Sequence, residues 1–190
     1  MNPTIRAMLE RCSQPRLQAP APSGDVLETI MACALRAPDH ALLRPWRYLL
    51  VEGGARQALG DVFEAAGVAA TPDMDAGQRE KLRAMPLRAP LLILPIACLQ
   101  THPKVPMIEQ ELSAAVGVGY VLLALQAAGF GGVWRTGDMA YSPQVHRALG
   151  LADHERLLGF LYAGTPVAES RAVVRPAVAE HVSLWRPELL

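Results

Sequence analysis

The sequence predicts an α+β fold. Helix-like and strand-like segments are mixed without regular alternation, and the strand-like runs lie far apart along the chain, so strands must meet over long range. Residues 112–130 add nineteen consecutive positions without a charge, the pattern of a central helix or a subunit interface. A chain of 190 residues, 51% hydrophobic and 19% charged, is long enough for one sizeable core. There is no internal repeat and no linker, so residues 1–190 are expected to form a single domain.

The elements follow in order. Asn2 and Pro3 suit a cap and first turn, and Ile5, Met8, Leu9 and Cys12 keep the spacing of one helix face, which puts Arg11 at the C-terminal end. After a connector over 18–24, Leu27, Ile30, Met31, Ala34 and Leu35 repeat that spacing, and Pro38 ends the second helix near Arg36 or Ala37. Residues 46–52 alternate and are aromatic and branched, as in a strand. Leu59, Val62, Phe63 and Ala66 make a third helix, and 71–83 reads as a loop with a short solvated helix. Residues 91–98 form a continuous apolar run typical of a buried strand, although Pro95 cannot donate to a ladder and argues for an edge or a bulge. Glu109 and Glu111 open the long apolar helix where they favour its dipole. Residues 131–137 form a short strand, Ser142-Pro143 starts a helix that Gly150 stops, and 157–163 is a further strand.

Composition excludes several classes of function. Eighteen basic residues balance eighteen acidic ones, which leaves no field to gather nucleic acid or anionic lipid. Three cysteines, Cys12, Cys33 and Cys98, read as reduced thiols and point to a cytoplasmic protein, and the N-terminus shows no export signal. The stretch 112–130 meets a length criterion for a membrane span, but Ser113, Gly117, Gly119, Tyr120, Gln126 and Gly129 dilute it and no basic cluster flanks it. No membrane association is expected. The histidines show no metal-ligand spacing with the cysteines, and neither a nucleophile elbow nor a phosphate loop is present.

Three clusters place an Arg beside small or hydroxyl residues, and one phosphate-bearing ligand could engage all three. Arg11 with Ser13 and Arg16 offers the guanidinium fork and a hydroxyl donor. Arg36 and His40 follow the second helix, and Arg135 with Thr136 closes a glycine-rich strand that something must approach closely. Each also has a plain structural use: a solvated helix end for Arg11, a backbone partner for His40.

Taken together, Arg11-Cys12-Ser13-Gln14-Pro15-Arg16-Leu17, Arg36-Ala37-Pro38-Asp39-His40, Pro45-Trp46, His102-Pro103-Lys104-Val105-Pro106, Glu109-Gln110-Glu111, the glycine-rich run 129–137 and the run 159–166 resemble the nitroreductase family, closest to its small one-domain members. The resemblance spans about residues 5 to 166. It implies a nitroreductase-like α+β fold, with a mostly antiparallel central sheet, surrounding helices and a long central helix, assembled as a homodimer with one FMN at each of two interface sites. NADH or NADPH would be the electron donor, and a small molecule, such as a nitro compound or quinone, the acceptor.

On that pattern Arg11, Cys12 and Ser13 are the N-terminal cofactor-binding positions, with Arg11 and Ser13 at the phosphate or ribityl end. Arg36 and His40 match contacts supplied by the other subunit, and Trp134, Arg135 and Thr136 a third set. The nicotinamide-nucleotide segment falls on Ala124, Leu125, Gln126, Ala127, Ala128 and Gly129. Cys12 stands where the family usually has a basic residue, and Ala41 where Lys is often found, so the site carries less positive charge. Flavin chemistry needs no protein nucleophile, and no catalytic residue is assigned. Two further readings stay open: a flavin-free dimeric interaction protein, and a flavoenzyme of the same fold with another reaction, dehydrogenation or flavin fragmentation.

Overall fold

The computed structural model describes residues 1–168 and 174–186; positions 169–173 and 187–190 of the expected domain lie outside the described residues. In chain order the elements are α1 (Pro3–Glu10), β1 (Leu17–Gln18), α2 (Gly24–Ala34), β2 (Trp46–Glu52), α3 (Ala55–Ala70), α4 (Ala76–Ala84), β3 (Leu91–Cys98), α5 (Met107–Ala127), β4 (Gly131–Arg135), α6 (Asp138–Tyr141), α7 (Pro143–Ala148), β5 (Glu155–Leu157) and β6 (Phe160–Pro166). Short 3-10 turns at His40–Leu42, Met85–Arg88 and Val178–Glu180 complete the set.

The strands run β1-β6-β3-β2, with β4 paired to β6 and β5 to β3, and every pairing among the described residues is antiparallel. β3 is the centre. Its alternate side chains feed two cores: Leu92, Leu94 and Ile96 pack with Phe63 of α3 and Val145 of α7, while Leu91 and Ile93 pack with Ile30 of α2 and Val118, Val121 and Leu125 of α5. A strand covered by helices on both faces must be apolar at every position, which explains its unbroken hydrophobic run.

Pro95 does not mark an edge. β3 pairs with β2 over Leu91–Ala97 on one side; on the other it pairs with β6 over Leu91–Ile93 and with β5 over Ile96–Cys98. The proline lies beside the gap where the neighbouring chain leaves β5, passes through Leu158 and Gly159, and begins β6. A ladder already interrupted there loses little to a missing donor. The single strand expected over 157–163 is therefore two.

Helix boundaries follow their caps. Asn2 accepts from the Thr4 N–H at 2.9 Å to start α1, and Asp75 with Gln78 forms a reciprocal capping box on α4. The second helix ends at Ala34, two residues before the expected position, and Arg36 already lies in a turn. α1 keeps its apolar stripe but buries none of it, since Ile5, Met8 and Leu9 are each more than half exposed. α5 is the one helix among the described residues long and apolar enough to cross a membrane. It instead sends Ala114, Val118, Val121 and Leu125 into the chain's own cores and leaves Met107, Ile108, Leu112 and Val116 exposed, so it is not buried on every side.

Candidate functional site

Arg11 leaves α1 with φ −55° and ψ 129° while its N–H donates to the Ala7 carbonyl at 3.0 Å. The loop that follows is tied down, because the Gln14 N–H donates to the Gly132 carbonyl at 3.0 Å and Gln126 Nε2 donates to the Ala7 carbonyl at 3.4 Å. Arg175 Nη2 reaches back to the carbonyls of Leu9, at 3.4 Å, and Arg11. The end of α1, the last turn of α5 and the start of β4 thus converge on a cleft of about 180 Å³ lined by Cys12, Gln14, Leu122, Gln126, Gly129, Phe130, Gly131, Gly132 and Pro166.

Of the expected cofactor positions, that cleft brings together Cys12, Gln126 and Gly129. Cys12 lies outside α1, so it does not extend the helix stripe; with the helix already closed at Glu10, its thiol faces the cleft, 3.4 Å from Gln14 Nε2. Ala124, Ala127 and Ala128 instead line an open apolar groove of about 420 Å³ against Val26, Ile30 and Cys33 of α2. The Leu125 side chain is fully buried in the α2/α5 core, which leaves only its backbone to face the segment's surroundings.

Arg36 and His40 belong elsewhere. His40 Nδ1 lies 3.0 Å from Glu109 Oε2, in the first turn of α5. The loop carrying His40 is held rigidly: the Arg44 N–H donates to Asp39 Oδ2 at 2.6 Å, and Gln100 Nε2 donates to the Leu43 carbonyl at 3.3 Å. Gln110, almost wholly buried, fixes Gln100 in turn through its backbone N–H at 3.0 Å and carbonyl at 2.9 Å. Ala41, Leu42 and Arg44 all have positive φ, at 64°, 54° and 49°, a strained arrangement for three non-glycine residues that this bracing sustains.

Glu109 and Gln126 are separated by about 26 Å along α5, from seventeen residues at ~1.5 Å each. His40 and the Arg11–Ser13 loop therefore sit at opposite ends of the helix, while Arg36 follows Ala34, whose carbonyl packs beside Gly117 near the middle of α5. One ligand cannot touch both ends within one chain.

Trp134 and Arg135 end β4 with exposed side chains, and Thr136 follows before Gly137 turns the chain at φ 85°. The Trp134 indole is fixed by donating Nε1–H to the Leu158 carbonyl at 2.9 Å. The guanidinium groups of Arg11, Arg36 and Arg135 form no hydrogen bond or ion pair with other described residues, so each is available to an anion.

Sequence reasoning missed the polar contacts that span the fold. Glu155 accepts from Arg47 Nε at 2.5 Å and Nη2 at 2.7 Å, and from the Ala152 N–H at 3.0 Å. The Arg47 hydrogen bonds hold the Glu155 carboxyl down at about 2. Burial, with the neighbouring carboxylate, pushes the Cys98 thiol up to about 11, which makes it a poor nucleophile. The Tyr48 hydroxyl is buried without a partner, and burial pushes it up to about 12. None of these pairs has a local signature; Arg47 and Glu155 are 108 residues apart. Among the described residues no cluster of three or more His, Cys, Asp or Glu is placed to hold a metal ion.

Comparison with known proteins places this geometry. The chain is 40% identical over 162 residues, 85% of its length, to 87% of an Escherichia coli (strain K12) protein named "Putative NAD(P)H nitroreductase YdjA". Its fold matches the crystal structure of a nitroreductase-like family protein from Bacillus cereus with a TM-score of 0.83 at 21% identity, covering 97% of each chain. It also matches the FMN and NADPH-dependent nitroreductase NfnB of Sphigopyxis sp. strain HMH with a TM-score of 0.78 at 19% identity, over 97% of this chain and all of the other. The model of the Nitroreductase family matches residues 9–165. With that span covering most of the chain and the fold in agreement, the protein belongs to the nitroreductase family.

Proposed function

We propose that this protein is a homodimeric, FMN-dependent oxidoreductase that moves hydride from NADH or NADPH to nitro compounds, quinones or related acceptors. The observation that carries the reading is the separation of His40 from the Arg11–Ser13 loop along α5. If two copies pack their α5 helices antiparallel, the His40 end of one meets the Arg11–Ser13 end of the other, and two equivalent sites form. The exposed stripe of Met107, Ile108, Leu112 and Val116 supports this assembly. Gly119 supports it too: a Cβ there meets nothing within 4 Å in its own chain, so its small size serves no packing inside the monomer.

The donor set suits a flavin mononucleotide. Three guanidiniums unpaired among the described residues and the hydroxyls of Ser13 and Thr136 match a phosphate and a polyol chain, and the partly exposed Trp134 offers an aromatic wall. The cleft of about 180 Å³ is below the ~300 Å³ of ordinary ligand pockets, so most of the ring system has to lie between subunits. When bound, the flavin supplies hydride transfer to and from its ring, a chemistry the protein need only position and shield. Arg11 and Ser13 would bind the phosphate or ribityl end, Arg36 and His40 reach in from the partner, and Trp134–Thr136 close the third side. The Ala124–Gly129 segment, minus the buried Leu125 side chain, borders the face offered to the dinucleotide.

The test is direct. Purified protein should be yellow, release FMN on denaturation and be bleached by NADH or NADPH without an acceptor. A colourless protein that FMN does not reconstitute would point instead to an interaction module built on the same dimer.

A further inference from the structure

The gap between β5 and β6 has a geometry of its own. Leu158 is held on both sides: its N–H donates to the Pro95 carbonyl at 2.9 Å and its carbonyl accepts the Trp134 indole N–H at 2.9 Å. Gly159 follows at φ +123°, a conformation that only glycine adopts without strain. A Cβ at this position would stand 2.5 Å from the Arg135 carbonyl oxygen, 2.8 Å from Trp134 Nε1 and 3.1 Å from Thr136 Cγ2. The nearest of these is backbone of a strand paired to β6, Arg135 opposite Phe160, and cannot swing aside as a flexible side chain can. All three neighbours of the empty position belong to Trp134, Arg135 and Thr136.

We propose that Gly159 is a positioning residue for the cofactor site: the space it leaves open lets the Leu158 carbonyl hold the Trp134 indole and sets the Trp134–Thr136 end of β4 in its working place. The proposal rests on the reading of that segment as a flavin contact. Pro95 belongs to the same device, because its carbonyl takes the Leu158 N–H at 2.9 Å and so anchors the residue whose carbonyl holds Trp134. Gly150 provides a control for a positive φ without crowding. It too has a positive φ, +67°, yet a Cβ there meets nothing within 4 Å, so Gly150→Ala carries backbone strain without the steric conflict.

The experiment compares wild type, Gly159→Ala, Trp134→Phe and Gly150→Ala as full-length proteins with 15N-labelled tryptophan. Trp46, Trp134 and Trp185 give three indole N–H signals, and the one lost in Trp134→Phe is Trp134. In Gly159→Ala the Trp134 signal should shift and exchange faster with solvent while that of Trp46 stays in place. The Kd for FMN should rise about tenfold, the loss expected for one displaced hydrogen-bonded contact. Trp134→Phe, which removes the indole N–H together with its five-membered ring but keeps an aromatic side chain, should raise the Kd in the same direction, and Gly150→Ala should change neither readout. An unmoved Trp134 signal in folded Gly159→Ala overturns the proposal, as does a moved signal with unchanged FMN affinity. If Gly159→Ala does not fold, Trp134→Phe decides alone: FMN affinity equal to wild type overturns the proposal. A wild type that takes up no FMN overturns the proposed function itself, before any variant is compared.

Discussion

Arg47 and Glu155 meet through two parallel hydrogen bonds, Nε to Oε1 at 2.5 Å and Nη2 to Oε2 at 2.7 Å, and so join β2 to the short β5 across β3. Glu155 is 9% exposed and Arg47 34%. The carboxyl sits at about 2 in the fold against 4.5 ordinarily, so the unfolded chain binds its proton first as pH falls. The stabilisation is fully present above about pH 4.5 and lost towards pH 2. The expected contribution is about 2 kcal/mol, below the full linkage value because Arg47 remains partly solvated. Urea unfolding of wild type and Glu155→Gln at pH 7 and pH 3 checks this: the difference between the two proteins should shrink at the lower pH.

Tyr48 presents its hydroxyl to the backbone of α2 and α5 without a hydrogen bond, close to where a Cβ on Gly117 would stand. Tyr48→Phe should leave stability unchanged or raise it by about 1 kcal/mol, since an unpaired buried hydroxyl costs that much or more to desolvate. Gly117→Ala should do the opposite. Its Cβ would lie 2.5 Å from that hydroxyl and 3.0 Å from the Ala34 carbonyl, forcing α5 away from α2. Thermal melts of the two variants give the signs.

Arg11→Ala should weaken FMN binding about ten- to a hundred-fold, the loss of a charge-assisted hydrogen bond of roughly 1.5–3 kcal/mol. Arg36→Ala should do the same from the other side of the interface. Mixing the two variants under conditions that allow subunit exchange should restore one intact site per mixed dimer. Flavin titration of the mixture distinguishes this from two independent defects, for which mixing restores nothing.

Val116→Asp places a charge on the outer stripe of α5 and should dissociate the dimer with loss of FMN, read by light scattering and flavin absorbance. Val118 is the wrong position for this test, because it faces the chain's own core and a charge there would report on folding. A wild-type monomer with full flavin occupancy would refute the shared site.

Steady-state rates with NADH or NADPH and a quinone should give parallel double-reciprocal lines at several acceptor concentrations. Donor and acceptor using one open face in turn leads to that pattern; intersecting lines would mean both are bound together.

Local pattern determined much of this protein. The i, i+3, i+4 spacing of Ile30, Ala34 and their neighbours, the capping residues Asn2, Asp75 and Ser142, and the unbroken apolar run of β3 each report a requirement met within one segment. The arginine clusters and their order were equally legible, and with them the family. Only the tertiary structure decided that Arg11 and His40 lie at opposite ends of α5, that the last strand breaks at Leu158 and Gly159, that Leu125 is core and that Glu155 pairs with Arg47. Periodicity tells which face of an element is apolar, but not what packs on it: α1 has one apolar face and α5 is apolar nearly all round, yet the first is left open and the second half covered. Contacts between residues a hundred positions apart follow from strand order and helix docking, and those are settled by the packing of the whole chain.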